Sequence, residues 1–502
     1  MPSGQHIFSR AHATEDILSQ SYDGSGTAID PFRVKWMAND PTDPLSFSNT
    51  KKWVITFLLS LSTLSVALAS SAYTGAVPQL MDEYGVSAPT AYLGVSLFVL
   101  CFAIGPLIWA SLCEMVGRQT VFVTTFAAFT AFNIGTACSK NIQSILVCRF
   151  FAGAFGSSSL VNTGGVLADI FSPKERGAAM SIFTASLFFG PTLGPITGSF
   201  IGQTQSWRWI EGFLAIMSGV LWAVGSLMIP ETYSPVLLQR RAQTLSRITG
   251  KAYQSMGKET QKSRSAIVKA ALIRPWCLLF FEPVVILVST YLAIVYGILY
   301  LLFAAFPVVY SQERGWEASI ASLPFLAVLF GMSFGVGYCM LQDRKIPACA
   351  FSRNGHANDT TSRLQPATVG AISIPIGLFM FAWTNGRHIH FVVSCIGSAL
   401  FGFGLVNIFI SMTNYLVDTY SVFAASSLAA SSVLRSVLGA VFPLFTPTMY
   451  QTLGIHWASS VPAFISLACV PVPFLLWQYH PWLGSRSRYI IKARVTTENL
   501  RG

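Results

Sequence analysis

Two arginines lie inside long apolar segments of this 502-residue chain, Arg149 in RFFAGAFG and Arg435 in SSVLRS. A charge in such a segment is costly and usually serves a function. Acids inside such segments are few, and the two that stand out are Glu211 and Glu282. A carboxyl group there can bind and release a proton, because desolvation favours its neutral form and a nearby arginine its charged form. Each arginine could instead be a structural tie to a carbonyl group or to a neighbouring helix.

The sequence contains none of the common catalytic or nucleotide-binding motifs. Its seven histidines do not form HExxH, and neither GxSxG nor the phosphate loop GxxxxGK[ST] occurs. The nine cysteines show no CxxC and no metal-type spacing. We therefore predict that the protein is not an enzyme, has no metal site and needs no cofactor.

The composition indicates a polytopic membrane protein. The chain is 52% hydrophobic and only 11% charged, with a mean hydropathy of +0.55, whereas soluble proteins carry about 25% charged residues. Membrane helices need ~20 apolar residues, and no long segment alternates as a membrane barrel would. The sequence predicts twelve spans, at 54–77, 88–112, 119–138, 142–170, 178–202, 207–229, 277–306, 318–340, 367–385, 390–415, 422–451 and 455–478.

Most of the 32 Lys and Arg residues fall on one side of the predicted membrane. They occur in the N-terminal segment 1–53, the central loop 230–275, the tail 479–502 and the loops after spans 2, 4 and 8. Such an excess marks cytoplasmic segments, so we predict that both termini and the central loop are cytoplasmic. The net charge of +11 then requires no nucleic-acid partner.

The predicted spans divide into two sets of six, 54–229 and 276–478. Two loop motifs are similar in the two halves, ASLCEMVGRQ after span 2 and GYCMLQDRK after span 8. In each, an acid lies near the cytoplasmic end of the span and an arginine follows it. Two six-span halves around a site at the membrane midplane allow alternating access. We therefore predict an all-α polytopic membrane protein, with twelve transmembrane helices in two pseudo-symmetric six-helix bundles.

A series of motifs in order makes the chain similar to the major facilitator superfamily. Within it, the chain resembles the twelve-span drug:proton antiporters of fungi, which export drugs, polyamines or secondary metabolites. The motifs, between residue 40 and about residue 488, are DPTDPLSFSNTKKW, AYTGAVPQLMDEYGVS, ASLCEMVGRQ, RFFAGAFGSSSLVNTGGVLADIFSPKERG, GPTLGPITG, WRW, PETYSPVLLQRRA, EPVV, NYLVDTY and SSLAASSVLRS. Three residues depart from the family pattern: Ala110 replaces a Gly, Gln119 a basic residue, and Gly75 a Pro.

The resemblance implies a gate at the cytoplasmic side. Glu114 would face the N-terminus of span 11 near Ser421, and Arg118, after the turn at Gly117, would pair with Asp169. Such contacts can hold one state closed and break in the other. A static topology anchor is the alternative.

The resemblance gives Arg149 a role in proton coupling or substrate contact. Glu282 in EPVV, and Asp169 through the gate, are the predicted proton-coupling acids, although Glu282 could equally begin a helix in a salt bridge. The substrate cavity should be lined by spans 1, 4, 7 and 10. Its candidate residues, each of which could instead serve helix packing, are Tyr73, Phe98, Asn162, Tyr291, Tyr296, Tyr300 and Asn407.

The stretch FFGPTLGPITGSF in span 5 carries two stripes of helix-breaking residues. Gly190, Gly194 and Gly198 share one face, which allows another helix to approach closely. Pro191 and Pro195 form a second stripe and should bend the helix. We expect the close partner to belong to the other half. In the family this pattern marks antiporters, in which it is thought to seal the site against leak; a simple kink is the alternative.

The resemblance implies a secondary active transporter that exports small amphipathic organic compounds by proton antiport. An uptake transporter of the same fold is the alternative, and a transporter-like receptor a more distant one. The expected partners are a small-molecule substrate, protons and the lipid bilayer, and the expected state is a monomer. The expected location is the plasma membrane, with the vacuolar membrane as the alternative.

Overall fold

The chain folds almost entirely into long apolar helices. The computed structural model describes residues 22–27, 29–37, 40–172, 175–255, 264–345, 364–386, 388–420 and 423–486, with backbone only for 264–271, 343–345 and 480–486. Spans 1 to 6 are Asn49–Tyr84, Ala88–Val116, Arg118–Ala137, Ile142–Ile170, Arg176–Thr204 and Arg208–Met228. Span 1 consists of helix Asn49–Ala72, a 3-10 turn Tyr73–Ala76 and helix Val77–Tyr84, and span 4 of helices Ile142–Gly156 and Ser158–Ile170.

The second half of the chain contains the other six predicted spans. Spans 7 to 10 are Pro283–Glu313, Ala318–Gln342, Gln365–Trp383 and Phe391–Tyr420. The last apolar stretch, Ala424–Tyr479, has 56 residues, or ~84 Å of helix, which far exceeds a bilayer core of ~30 Å. Gly454, with φ 72° and ψ 166°, interrupts it and divides it into spans 11 and 12.

The helices of each half pair in the same pattern. In the first half, span 1 packs on span 5, span 2 on span 4 and span 3 on span 6; in the second half, 7 packs on 11, 8 on 10 and 9 on 12. A hydrogen bond is repeated as well: Cys113 Sγ donates to Asn162 Oδ1 at 3.3 Å, and Cys339 Sγ donates to Asn407 Oδ1 at 3.1 Å. The two cysteines occupy equivalent positions in the loop motifs after spans 2 and 8. The structure therefore contains two pseudo-symmetric bundles.

A small layer, which we name the clasp, joins residues 22–43 to residues 234–255. Strand β1 (Phe32–Val34) pairs in parallel with β2 (Tyr253–Ser255), and both lie beside the helix Ser234–Thr249. The sequence predicted two separate loops here, 1–53 and 230–275, because pairing between segments more than 200 residues apart has no local signature. The end of the bundles that carries the clasp is called the linker side, and the opposite end the far side.

A buried ion pair holds the clasp together. Arg241 Nη1 lies 2.6 Å from Asp40 Oδ2, and the two side chains are 5% and 1% exposed. Arg241 also donates to Thr42 and lies 4.9 Å from the centre of the Trp36 ring. Beyond the clasp, the helix Arg264–Phe281 precedes Glu282, which is the N-cap of span 7, so the predicted domain boundary at 275 falls inside a helix.

The glycine stripe of span 5 packs against span 1 of its own half, which corrects the expectation of a partner from the other half. A Cβ at Gly190 would lie within 3 Å of Ala67 Cβ, and a Cβ at Gly198 would overlap the Ala72 carbonyl. Gly75, where the family has Pro, fits against Gly198 so closely that no side chain has room there. The stripe is a local feature of the sequence, but which neighbour fills it depends on helix placement.

Span 5 meets the other half on a different face. The Phe188 and Phe409 rings lie 4.7 Å apart, and Thr192 Oγ1 lies 3.5 Å from Met332 Sδ. These two span 5 residues are one turn apart and lie outside the glycine stripe. Span 5 therefore fixes span 1 with one face and contacts the second bundle with another.

Substituting Gly198 with Ala should destabilise the first bundle, because the added methyl group overlaps backbone atoms that cannot move independently. We expect a loss of about 1–3 kcal/mol and a lower midpoint of thermal unfolding in detergent. Gly337→Ala is the matched control, since nothing lies within 4 Å of its added Cβ. Equal unfolding midpoints for the two variants would contradict the close packing of spans 1 and 5.

Substituting Asp40 with Asn should open the clasp in a pH-dependent way. Burial acts to raise the pKa of Asp40, but hydrogen bonds from Arg241 and Thr42 outweigh it and leave the pKa below its usual value. The pair therefore stabilises the clasp fully above about pH 4 and is lost as the pH falls through the lowered pKa. Breaking such a buried pair costs ~3 kcal/mol.

Hydrogen–deuterium exchange of the helix Ser234–Thr249 tests this prediction. Exchange should be faster in Asp40→Asn than in the wild type at pH 7, and the difference should shrink as the pH falls below about 4. Asp23→Asn is the control, because its pair with Lys35 is 70% and 49% exposed and such pairs contribute little. A difference that does not change with pH would rule out the ion pair as the cause.

Candidate functional site

Arg149 binds three other spans at one point in the first bundle. Its Nη2 donates to the Ala69 carbonyl of span 1 at 2.9 Å, and its Nε donates to the Gly94 carbonyl of span 2 at 3.2 Å. Its Nη1 lies 3.5 Å from Glu211 Oε1 of span 6, and both side chains are 0% exposed. Arg149 is thus both a tie between helices and a partner of a buried acid.

Glu211 is the acid that sequence reasoning underrated. Neither of its carboxylate oxygens has a hydrogen-bond donor among the described residues, so Arg149 compensates its charge only through space. A carboxylate in this setting can be neutralised by a proton when Arg149 moves away. The signal in the sequence was the presence of opposite in-span charges near the same predicted membrane face, but spacing alone could not show that they meet.

Aromatic rings enclose the Arg149 guanidinium. The ring centres of Phe98 and Tyr73 lie 4.3 Å and 4.8 Å from its central carbon. Tyr73 packs so closely on Gly94 that a Cβ there would overlap the ring. The titratable groups around Glu211 are Arg149 and Cys148 on span 4 and Tyr73 on span 1.

A chain of hydroxyl groups connects this site to the second half. Ser70 Oγ, next to Ala69, lies 2.7 Å from the Tyr300 hydroxyl, which lies 3.4 Å from the Tyr296 hydroxyl. Arg435 then stacks over the Tyr296 ring at 5.0 Å and over the Phe409 ring at 4.9 Å. Two predicted cavity residues, Tyr296 and Tyr300, therefore lie at the interface between the halves, whereas Tyr73 and Phe98 surround Arg149 within the first bundle.

Three other predicted cavity residues lie elsewhere. Asn162 and Asn407 take part in the repeated cysteine bonds, and Asn162 Nδ2 also donates to the Arg118 carbonyl at 3.1 Å. Tyr291 lies near Cys469 of span 12, within the second bundle. The sequence placed all three on the right spans but could not determine which way each side chain points.

Glu282 lies at the linker side rather than beside Arg149. It immediately precedes the helix that begins at Pro283, and it accepts a hydrogen bond of 3.1 Å from the Tyr420 hydroxyl. Eighteen residues separate it from Tyr300, which corresponds to ~27 Å along span 7. Its placement favours the alternative in which it begins a helix.

The loop after span 2 is joined to span 4 and to the PETY motif. Arg118 Nε lies 3.2 Å from Asp169 Oδ2, forming the pair that the resemblance implies. Glu231 Oε1 accepts the backbone N–H of Arg118 at 2.8 Å and those of Thr232 and Tyr233 at 3.0 Å. We name Arg118, Asp169 and Glu231 the linker-side cluster.

Gly117 and Glu114 occupy very different surroundings in this loop. Gly117 has φ 109°, and a Cβ there would overlap Glu231 Oε2, so only glycine fits. Glu114 is exposed, and no hydrogen bond or ion pair involves it within the described ranges. The predicted neighbour of Glu114, Ser421, lies outside the described residues. Besides Asp169, the acid held in the cluster is therefore Glu231 rather than Glu114, and the sequence placed Glu231 in a motif without assigning it a role.

The two halves are also tied at the far side. Gln203 of span 5 donates to Glu317 Oε2 at 3.1 Å and accepts the Ser319 N–H at 3.1 Å. Together with the Ser70–Tyr300 contact, these bonds join the two halves between the level of Ser70 and the far side. In the part of the chain that is described, no group of His, Cys, Asp and Glu is arranged to hold a metal ion.

Comparison with known proteins identifies similar chains in fungi. A sequence model of the Major Facilitator Superfamily matches residues 59–443. The "MFS-type efflux pump MFS2" of Trichophyton rubrum is 52% identical over 502 residues, covering 100% of this chain and 84% of that protein. The "Major facilitator superfamily multidrug transporter mdrA" of Aspergillus fumigatus is 49% identical over 498 residues, covering 98% and 81%. The "Major facilitator-type transporter sorT" of Penicillium rubens is 45% identical over 477 residues, covering 94% and 91%.

Substituting Glu231 with Ala should loosen the linker-side cluster, because three backbone N–H groups lose their acceptor. Each buried donor left without a partner costs about 1–3 kcal/mol, so the midpoint of thermal unfolding should fall by several degrees. Glu114→Ala removes the same charge at an exposed position four residues before Arg118 and should leave the midpoint nearly unchanged. A larger effect of Glu114→Ala would reverse the roles assigned to these two acids.

Proposed function

The chain belongs to the Major Facilitator Superfamily, and on that premise we propose that it exports small amphipathic organic compounds in exchange for protons. Membership makes it a transporter of small molecules rather than an enzyme. The names of two relatives, an efflux pump and a multidrug transporter, support the outward direction. We place the linker side in the cytoplasm, as the charge bias predicts, and the protein in the plasma membrane as a monomer.

The buried pair of Arg149 and Glu211 is the observation that carries the proposed proton coupling. Two opposite charges with 0% exposure lie 3.5 Å apart, and removing one partner of such a pair leaves a charge that costs about 3–5 kcal/mol. A conformational change that separates them therefore favours protonation of Glu211. When the pair forms again, Arg149 favours release of that proton.

The contacts of Arg149 connect this proton site to the movement of the halves. Arg149 holds the Ala69 carbonyl, and the next residue, Ser70, bonds Tyr300 across the interface. Opening the far side must break the Ser70–Tyr300 bond and disturb span 1 where Arg149 is attached. Proton binding and the opening of the interface are thus coupled through two consecutive residues.

The linker-side cluster is the proposed gate. Arg118, Asp169 and Glu231 connect the loop after span 2, span 4 and the start of the linker. We propose that this cluster holds one arrangement of the first bundle and rearranges in the other, so that substrate and proton bias a two-state element. The packing of Gly190, Gly194 and Gly198 against span 1 would limit leak through the first bundle.

Flux in proteoliposomes tests the proposed function. Protein is reconstituted into vesicles with an acidic lumen, and labelled 2-naphthoate and a labelled azole are supplied outside at neutral pH. Antiport predicts accumulation that ends when an ionophore collapses the pH gradient. All accumulation is measured in excess of that in protein-free vesicles, because weak acids and bases distribute passively along a pH gradient. Protein-dependent accumulation driven instead by an acidic exterior would establish uptake by symport and overturn export.

Glu211→Gln should uncouple transport from protons in the same vesicles. We expect gradient-driven accumulation to fall at least ~10-fold, because an amide in the buried site cannot exchange a proton. Exchange of labelled for unlabelled substrate without a gradient should persist, which distinguishes uncoupling from unfolding. The matched control is Glu83→Gln, whose pair with Arg208 at 2.8 Å is 39% and 38% exposed. Full gradient-driven accumulation by Glu211→Gln would remove this acid from the mechanism.

A further inference from the structure

Arg435 is a second in-span arginine, and it differs from Arg149 in its partners. Its Nη2 donates to Ser432 Oγ at 3.3 Å, one turn away on span 11. Its Nε is fully buried and has no acceptor among the described residues. No ion pair between Arg435 and a carboxylate occurs in the described part of the chain. The nearest titratable groups are the hydroxyls of Tyr296 and Tyr300.

A buried cation without an anion is expensive, and residues of this kind in membrane helices usually mark a substrate path. Arg435 is only partly buried as a whole, although its Nε is fully enclosed, so a ligand would reach the guanidinium through the part of the side chain that remains exposed. Ser436, the next residue, has a fully buried hydroxyl that lacks a partner among the described residues. The Arg435 guanidinium therefore offers an unused N–H donor and one positive charge.

Aromatic side chains border the same guanidinium. The Tyr296 and Phe409 rings lie 5.0 Å and 4.9 Å from it, and Phe409 contacts Phe188 of the first half at 4.7 Å. Flat apolar groups can stack on such rings. A ligand at Arg435 would thus contact residues that connect both halves.

We propose that Arg435 binds an anionic group of the transported compound, so that the preferred substrates are aromatic molecules bearing a carboxylate or a comparably acidic hydroxyl. This proposal rests on the proposed function only in treating the protein as a transporter of small amphipathic compounds. A planar guanidinium bonds a carboxylate through two parallel N–H···O contacts. Cationic compounds are disfavoured at Arg435, because none of the described residues forms an ion pair there as an acid that could compensate them.

The test measures binding of three probes with one ring system to the detergent-purified full chain by isothermal titration calorimetry. The probes are 2-naphthoate, its neutral amide 2-naphthamide and the cation 2-naphthylmethylammonium. Wild-type protein should bind the carboxylate at least ~10-fold more tightly than the amide, and the ammonium most weakly. Arg435→Gln should reduce the preference for the carboxylate to less than about twofold.

Two further variants keep the test decisive. Lys140→Gln removes one positive charge from an exposed loop position and should preserve the full preference for the carboxylate. Arg435→Lys keeps the charge but loses the planar fork, so it should weaken carboxylate binding several-fold and still favour it over the amide. If Arg435→Gln does not fold, the wild-type ranking and Arg435→Lys decide the question.

Several results would overturn the proposal. The proposal fails if the wild type binds the amide or the ammonium as tightly as the carboxylate. It fails as well if Arg435→Gln keeps the preference for the carboxylate, or if the wild type binds no carboxylate at millimolar concentration. These measurements use no pH gradient and no membrane. Failure of proton antiport or of the outward direction would therefore leave their outcome unchanged.

Discussion

The need to satisfy every polar group inside the hydrocarbon layer, where water is absent, determines how the first bundle is built. Arg149 satisfies several of these groups at one point, because its guanidinium donates to the Ala69 and Gly94 carbonyls and pairs with the Glu211 carboxylate. Spans 1, 2, 4 and 6 therefore cannot shift independently near this residue. A rearrangement there must supply another partner for each of these groups.

Span 1 is held on two different sides by two different kinds of interaction. On one side its backbone lies against the glycine stripe of span 5, where the van der Waals contact leaves no room for a side chain. On another side it meets span 7 through one hydrogen bond, between Ser70 and Tyr300. The first contact is extensive and rigid, whereas the second is small and can break. Around Ser70, the contact of span 1 with the second half is thus the smaller of the two.

Hydrophobic segment length and charge bias predicted the spans and their pairing into halves, because both follow from local composition. Local composition did not predict which helix or side chain each of these residues contacts. The three glycines were evident, yet their neighbour proved to be span 1. Glu114 and Glu231 both lie near Arg118, but only the structure shows that Glu231 accepts its backbone N–H. Sequence reasoning preferred Glu282 to Glu211 as the proton-coupling acid, but helix placement put Glu211 beside Arg149.

The clasp changes how the two halves are connected along the chain. Because β2 and the helix Ser234–Thr249 pack with residues 22–43, the first part of the linker moves as an extension of the first bundle. The covalent tether between the two halves therefore starts after Ser255 instead of at the end of span 6. If the halves rock as the proposed mechanism requires, the shorter tether would restrict how far they rotate apart, and the clasp would limit the amplitude of that movement.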